Sequence, residues 1–138
     1  MKKILFNIVC FLLIFCCLGV TIFAEESGAI SPRFNNTVST NTSFFIESGI
    51  AYVNVGFTGF SGVTTGGQIT TKIQKRFLLV FWSDVDGADW VDNVSGVYYS
   101  NGHSISVKSG YYRAQVEYTI YGSGGAADII AEQIEAEN

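Results

Sequence analysis

Beyond Ala24 the chain has no cysteine: all three, Cys10, Cys16 and Cys17, fall within the first 24 residues. The remainder can form no disulfide, so its fold has to rest on an apolar core, which a single domain of roughly 110 residues can supply. Histidine is nearly absent too, with His103 alone. One histidine without cysteine cannot complete a histidine-based zinc site. No Gly-x-Ser-x-Gly elbow accompanies the many serines, so a serine–histidine nucleophile has no visible parts, and His103 reads as a surface residue beside a turn. Basic residues are few, 8 Lys and Arg against 12 Asp and Glu, for a net charge of −4. That balance argues against nucleic acid, whose phosphates are bound by Lys and Arg. It also argues against simple electrostatic adhesion to anionic membranes. Proline occurs once, at Pro32, and no convincing helical period runs through the chain.

What is present begins with an export signal. Lys2 and Lys3 form a positive start, Ile4 to Phe23 is apolar apart from Asn7 and Thr21, and the chain turns polar at Glu25-Glu26-Ser27. This is the pattern of a secretory signal peptide over residues 1–24, with cleavage expected after Ala24. The apolar run approaches the ~20 residues that span a bilayer, so a membrane-anchored form with an uncleaved signal is the rival expectation. Cys16 and Cys17 follow Phe15 rather than a small residue and read as part of the signal, not as a lipid-anchor site. Removing residues 1–24 takes away two lysines and no acid, which leaves the rest still more acidic. A cysteine-free exported domain fits a bacterium better than an animal secretory pathway. Asn35, Asn41 and Asn93 each open an Asn-x-Ser/Thr triplet, which matters only in a eukaryotic host.

Residues 25–37 read as an irregular leader around Pro32 and Arg33, and residues 38–131 as the folded domain. Ala51, Val53, Val55 and Phe57 alternate with Tyr52, Asn54 and Gly56, which predicts a strand with one buried face. Ile69, Thr71 and Ile73 alternate likewise, and the continuous run Phe77–Trp82 predicts a central strand covered on both faces. Asp84 to Asp92, around Gly87, predicts a hairpin connection, and Val94 to Tyr99 a further strand. Asn101-Gly102 is the favoured pair for a type I′ hairpin turn, with His103 to Lys108 following as a short strand. Tyr112, Ala114, Val116, Tyr118 and Ile120 alternate with Arg113, Gln115, Glu117 and Thr119, the clearest strand of all. Gly122 to Gly125 forms a turn, a last strand reaches about Ala131, and residues 132–138 end as a frayed acidic tail. About seven strands with turn signals every 8 to 12 residues predict an all-β fold, a single antiparallel β-sandwich of immunoglobulin-like type. Tyr112 followed two residues later by Ala114 matches the strand entry of such domains, where a tyrosine precedes an inward residue by two.

Several motifs together resemble a domain-of-unknown-function family of small secreted proteins from Gram-positive bacteria. They are Ile30-Ser31-Pro32-Arg33-Phe34, Gly62-Val63-Thr64-Thr65, Trp90, Gly110-Tyr111-Tyr112-Arg113, Tyr118-Thr119-Ile120-Tyr121 and Gly124-Gly125. The basic segment of such proteins has its counterpart in Gln74-Lys75-Arg76, here followed by the apolar run. The resemblance implies fold and export and carries no activity.

Two candidate sites follow. Asp84, Asp86, Asp89 and Asp92 are closely spaced carboxylates of the kind a hard cation such as calcium takes. The EF-hand template fails, because Gly87 falls at the fourth position and Ser95 at the twelfth. A solvated loop whose acids oppose edge pairing accounts for the same residues, and no other cofactor is expected. The second candidate is a ligand surface formed by the aromatics, with Tyr99, Tyr111 and Tyr121 as the outward members. The expected function is a non-enzymatic, secreted binding module for an extracellular protein or a glycan. Any membrane contact is expected only through an uncleaved signal. The alternatives are a toxin or bacteriocin-like protein acting on membranes, for which residues 56–71 would be the hairpin, and a structural component of the cell surface.

Overall fold

A computed structural model describes residues 34–78 and 80–138. The predicted secretory signal, its expected cleavage site and most of the predicted leader lie outside the described residues. The described residues form seven strands and no helix: β1 Thr37–Glu47, β2 Ile50–Gly59, β3 Thr64–Phe77, β4 Phe81–Ser95, β5 Tyr98–Ser106, β6 Tyr111–Gly122 and β7 Asp128–Glu137. They make two antiparallel sheets, a three-stranded one in the order β1-β2-β5 and a four-stranded one in the order β4-β3-β6-β7. The sheets pack face to face as a β-sandwich. The fourth strand pairs with the third here, instead of joining the sheet of the first two as in antibody constant domains.

The alternating residues fill the space between the sheets. Ala51, Val53, Val55 and Phe57 of β2 meet Ile69 and Ile73 of β3 and Ala114, Val116, Tyr118 and Ile120 of β6, all buried. Tyr118 keeps its hydroxyl satisfied by Asn41 O at 3.1 Å and Thr42 Oγ1 at 2.5 Å. Tyr112 enters β6 as the sequence predicts: its hydroxyl donates to Lys108 O at 2.7 Å and ties the β5–β6 turn to the strand.

The end of the sandwich at the start of β1 is closed by buried polar groups. Asp128 accepts from the Asn35 amide at 2.9 Å, the Asn36 amide at 2.7 Å and the Thr37 hydroxyl at 2.8 Å. Asn36, fully buried, donates through Nδ2 to Ala126 O at 2.9 Å and accepts from the Gly124 amide at 3.2 Å. Its carbonyl accepts from the Thr64 hydroxyl. Burial pushes the Asp128 carboxyl up, but the hydrogen bonds from Asn35, Asn36 and Thr37 outweigh it and hold the pKa below the ordinary value. Farther along the same seam, Thr40 donates to Glu132. The last residues of the predicted leader are therefore part of the domain's closure.

Four local expectations are corrected. The run Phe77–Trp82 is no central strand: the chain turns back after Leu78, and β3 and β4 form a hairpin with Phe77 opposite Phe81. Asp84 to Asp92 is no hairpin connection but the body of β4. Lys72 pairs with Asp89 and Gln74 with Asp84, so Val85 to Ala88 bulge opposite Ile73 and tuck Ala88 into the core. Asn101-Gly102 lies inside β5 rather than at a turn. A Cβ on Gly102 would stand 2.7 Å from Asn54 Oδ1 on β2, so close approach explains the glycine. Finally, β7 does not stop at Ala131: pairing with β6 continues to Tyr111 opposite Glu137. The charged residues Glu132, Glu135 and Glu137 remain in the ladder because an edge strand tolerates charge.

Candidate functional site

The β3–β4 hairpin ends in side chains that the other described residues leave uncovered. Phe77 is 59%, Leu78 68%, Val80 71% and Phe81 63% exposed. The turn is closed by the Val80 amide donating to Leu78 O at 2.8 Å, with Leu78 at a φ of 47°. Positive φ costs a non-glycine residue roughly 1–2 kcal/mol. Turns at such positions favour Gly, Asn or Asp. This tip therefore breaks two local rules at once, one of turn chemistry and one of burial. The β1–β2 turn also puts a non-glycine residue at positive φ, Ser48 at 52°, but its tip is polar, with Gly49 following at 76°, so it breaks only the first rule.

Below the tip, on the outer face of the four-stranded sheet, aromatic and cationic side chains alternate. Arg76 sits opposite Trp82 on β4 and lies over the Tyr111 ring of β6, with its guanidinium carbon 3.9 Å from the ring centre. Arg113 reaches across the sheet to Trp82 at 4.3 Å. It is held there by bonds to Gln74 Oε1 at 2.8 Å and Gln133 Oε1 at 3.3 Å. On the core-facing side of the same strands, Lys75 lies 5.4 Å from the ring centre of buried Tyr112 and donates to Ser109 O at 3.0 Å. These are cation–π geometries. The Tyr111 hydroxyl is pushed up in pKa, first by its hydrogen bond to Glu137 and then by that residue's charge.

The predicted calcium ligands do not converge. Asp84 pairs with Lys72 at 3.2 Å and accepts from Gln74 Nε2 at 2.6 Å, and these two hydrogen bonds, Gln74 first, hold its carboxyl below the ordinary range. Asp92 turns to the other sheet, 2.7 Å from His103 Nε2 and 3.3 Å from Asn101 Nδ2. Asp86 and Asp89 are exposed on β4. Among the described residues no three acidic, histidine or cysteine side chains gather as a metal-holding group. His103 is not a turn residue: it stacks on Trp90 at 4.8 Å and 8° and joins β5 to β4 through Asp92.

The predicted tyrosine surface is dispersed. Tyr111 and Tyr121 are exposed as expected, but they stand at opposite ends of β6. Tyr99 points inward, because it pairs with Phe57 of the core face. Burial first, and then its hydrogen bond to Asp92, push its hydroxyl up in pKa. Its neighbour Tyr98 is the outward ring, 67% exposed. Tyr98 borders a shallow depression of about 210 Å³ on the three-stranded sheet, lined also by Asn41, Ser43, Asn54, Gly56 and Ser100.

A scan against protein-family models and a search among curated proteins found no match to this chain. The tip was the residue set that composition and periodicity missed, since six apolar residues in a row read equally well as a buried strand.

Proposed function

We propose that this chain is an exported, non-enzymatic β-sandwich that works as a binding module, and that its target is the surface of a lipid bilayer. One observation carries the reading: the exposed apolar residues Phe77, Leu78, Val80 and Phe81 at the tip of the β3–β4 hairpin. An apolar patch of this kind on a small domain marks a surface that is covered during function. The order of side chains behind it favours a bilayer over a protein partner. Apolar residues come first, then Trp82 and Tyr111 with Arg76 and Arg113, then the polar body. The interfacial zone of a membrane has the same sequence of environments, with Trp, Tyr and cationic side chains at headgroup level. Full burial of a Phe or Leu side chain contributes roughly 1.5–3 kcal/mol, so four partly covered ones give a weak, reversible attachment. Export rests on the signal pattern of residues 1–24.

Flotation of the exported protein with phosphatidylcholine vesicles tests the reading. The wild-type chain is expected to rise with the vesicles, and a Val80→Ser, Phe81→Ser double variant to remain at the bottom while melting at the wild-type temperature. A wild-type chain that stays behind, or a variant that rises equally, rules out docking by the tip. A tip that instead joins two copies would appear as a dimer in light scattering, lost in the same variant.

A second reading, glycan binding, is favoured by the depression beside Tyr98. Its Asn and Ser lining carries no charge, although the chain as a whole is acidic. An exposed ring beside uncharged amides and hydroxyls suits a neutral sugar.

A further inference from the structure

Charge in this domain is concentrated on one sheet. Among the described residues, nine of the ten carboxylates belong to β4, β6 and β7, and all five Lys and Arg lie on β3, on β6 or in the β5–β6 turn. The three-stranded sheet carries one carboxylate, Glu47 at the end of β1, and its histidine, His103, turns to Asp92 of β4. Between the ends of that sheet the outer face is made of Ser, Thr, Asn and Gly, with aromatic rings at two places. Tyr98 stands at one, opposite Thr58 of β2, the central strand. At the other, Phe45 of β1 and Tyr52 of β2 are register partners whose rings stack, with centres 5.1 Å apart and planes at 18°. Thr58 and Tyr52 are an even number of positions apart on β2, so both places open on the same face. At the usual rise of a strand the span between them is about 20 Å.

Between the two aromatic places the surface dips where glycines stand in for side chains. Gly56 lies in the depression beside Tyr98, between Asn41 and Ser100. A Cβ there would stand 2.7 Å from Tyr99 O, so a side chain is excluded and the dip stays open. Gly102 is the second glycine. Asn54 Oδ1 lies over it, and Asn54 Nδ2 donates to Ser43 Oγ at 3.0 Å, so this exposed amide is held flat across all three strands. It keeps a second N–H and acceptor capacity for a ligand. We infer that an uncharged, linear polysaccharide lies along β2 on this face, with sugar rings on Tyr98 and on the Phe45–Tyr52 pair and a hydroxyl at the Asn54 amide between them. The inference rests on the glycan reading of the Tyr98 depression and names its ligand class, a chain rather than a terminal sugar. The distance between the rings requires a chain, because one sugar unit cannot reach both. The missing charge requires a neutral one, because an acidic glycan would find no cation on this sheet and would meet Glu47. A second copy of the protein fits less well, since the rings are separated by amides and hydroxyls and form no continuous apolar centre.

The test is titration calorimetry of the exported protein with cellohexaose, xylohexaose, mannohexaose, maltohexaose and N-acetylchitohexaose, each set against its disaccharide. The wild type is expected to bind at least one hexasaccharide, and to bind it at least about tenfold more tightly than the disaccharide, which can engage only one aromatic place. Tyr98→Ala should weaken that binding by about tenfold, and so should Phe45→Thr with Tyr52→Thr, in which β-branched residues keep the strands. Tyr98→Phe keeps the ring and should bind as the wild type does. If the double variant fails to fold, Phe45→Ala alone, on the outermost strand of the sheet, makes the same comparison. A disaccharide that binds as tightly as its hexasaccharide, or a Phe45 variant that binds undiminished, overturns the inference and leaves a sugar at the Tyr98 depression standing. No binding of any hexasaccharide overturns the glycan reading itself. Tighter binding of hexagalacturonic acid than of every neutral chain overturns the neutral class. A dimer in light scattering that Tyr98→Ala abolishes would assign the face to a second copy and overturn the inference.

Discussion

The two ends of the sandwich invert the usual rule of polar outside and apolar inside, and they do so in opposite ways. At the β1 start, Asn36 and Asp128 are buried polar groups, and every group around them has a partner: amides, a hydroxyl and carbonyls at hydrogen-bonding distance. At the β3–β4 tip, Phe77, Leu78, Val80 and Phe81 are exposed apolar groups that no described element covers. A buried polar group that is fully satisfied explains itself as structure, because its removal leaves orphaned donors. An exposed apolar group on a strained turn contributes little to folding, so its explanation lies outside the chain. The first end holds the sheets together, and the second is the surface on which the proposed function rests.

Substitutions that separate the two ends sharpen this contrast. Asp128→Ala should have the largest effect. It strands the Asn35 and Asn36 amides and the Thr37 hydroxyl, at about 1–3 kcal/mol for each unsatisfied group that water does not reach. Urea unfolding should show a loss of about 3 kcal/mol, while vesicle binding by the protein that remains folded is unchanged. The same carboxyl makes this end acid-sensitive. Its folded pKa lies below the ordinary 3.8, so its contribution is complete above that value and is lost as pH falls through the lower folded value. Melting curves taken from neutral pH downward should fall more steeply below pH 3.8 for the wild type than for Asp128→Asn. At the other end, Leu78→Gly removes the positive-φ strain and should raise stability by about 1 kcal/mol. It should at the same time weaken vesicle binding. A tip substitution that destabilises the domain as much as Asp128→Ala would erase the distinction.

The interior was the legible part of this protein. The alternations Ala51 to Phe57 and Tyr112 to Ile120 identify two core strands, because a half-buried strand needs one apolar face. The Tyr112–Ala114 pair identifies the entry to β6 and its bond to Lys108. The tip was illegible from hydrophobicity, which measures what a side chain prefers and not whether a partner covers it. Arg76, Arg113, Trp82 and Tyr111 are individually visible in the sequence, but their association depends on the registers of β3 with β4 and β6. A turn at Asn101-Gly102 would reverse the parity of Tyr98 and Tyr99. With the turn placed at Gly96 instead, β5 begins at Tyr98, and its second ring faces the core. Asn36 gave no signal, since a buried asparagine in an irregular segment looks like any polar linker residue.

The most direct test of the account places Trp82 relative to a bilayer. With Trp90→Phe, Trp82 becomes the single tryptophan of the chain, and lipids brominated along the acyl chain quench a nearby indole. The account predicts a blue-shifted emission and strong quenching by bromines near the headgroup, both abolished by Val80→Ser with Phe81→Ser. An emission spectrum unmoved by vesicles, or one that moves equally in the tip variant, would contradict it.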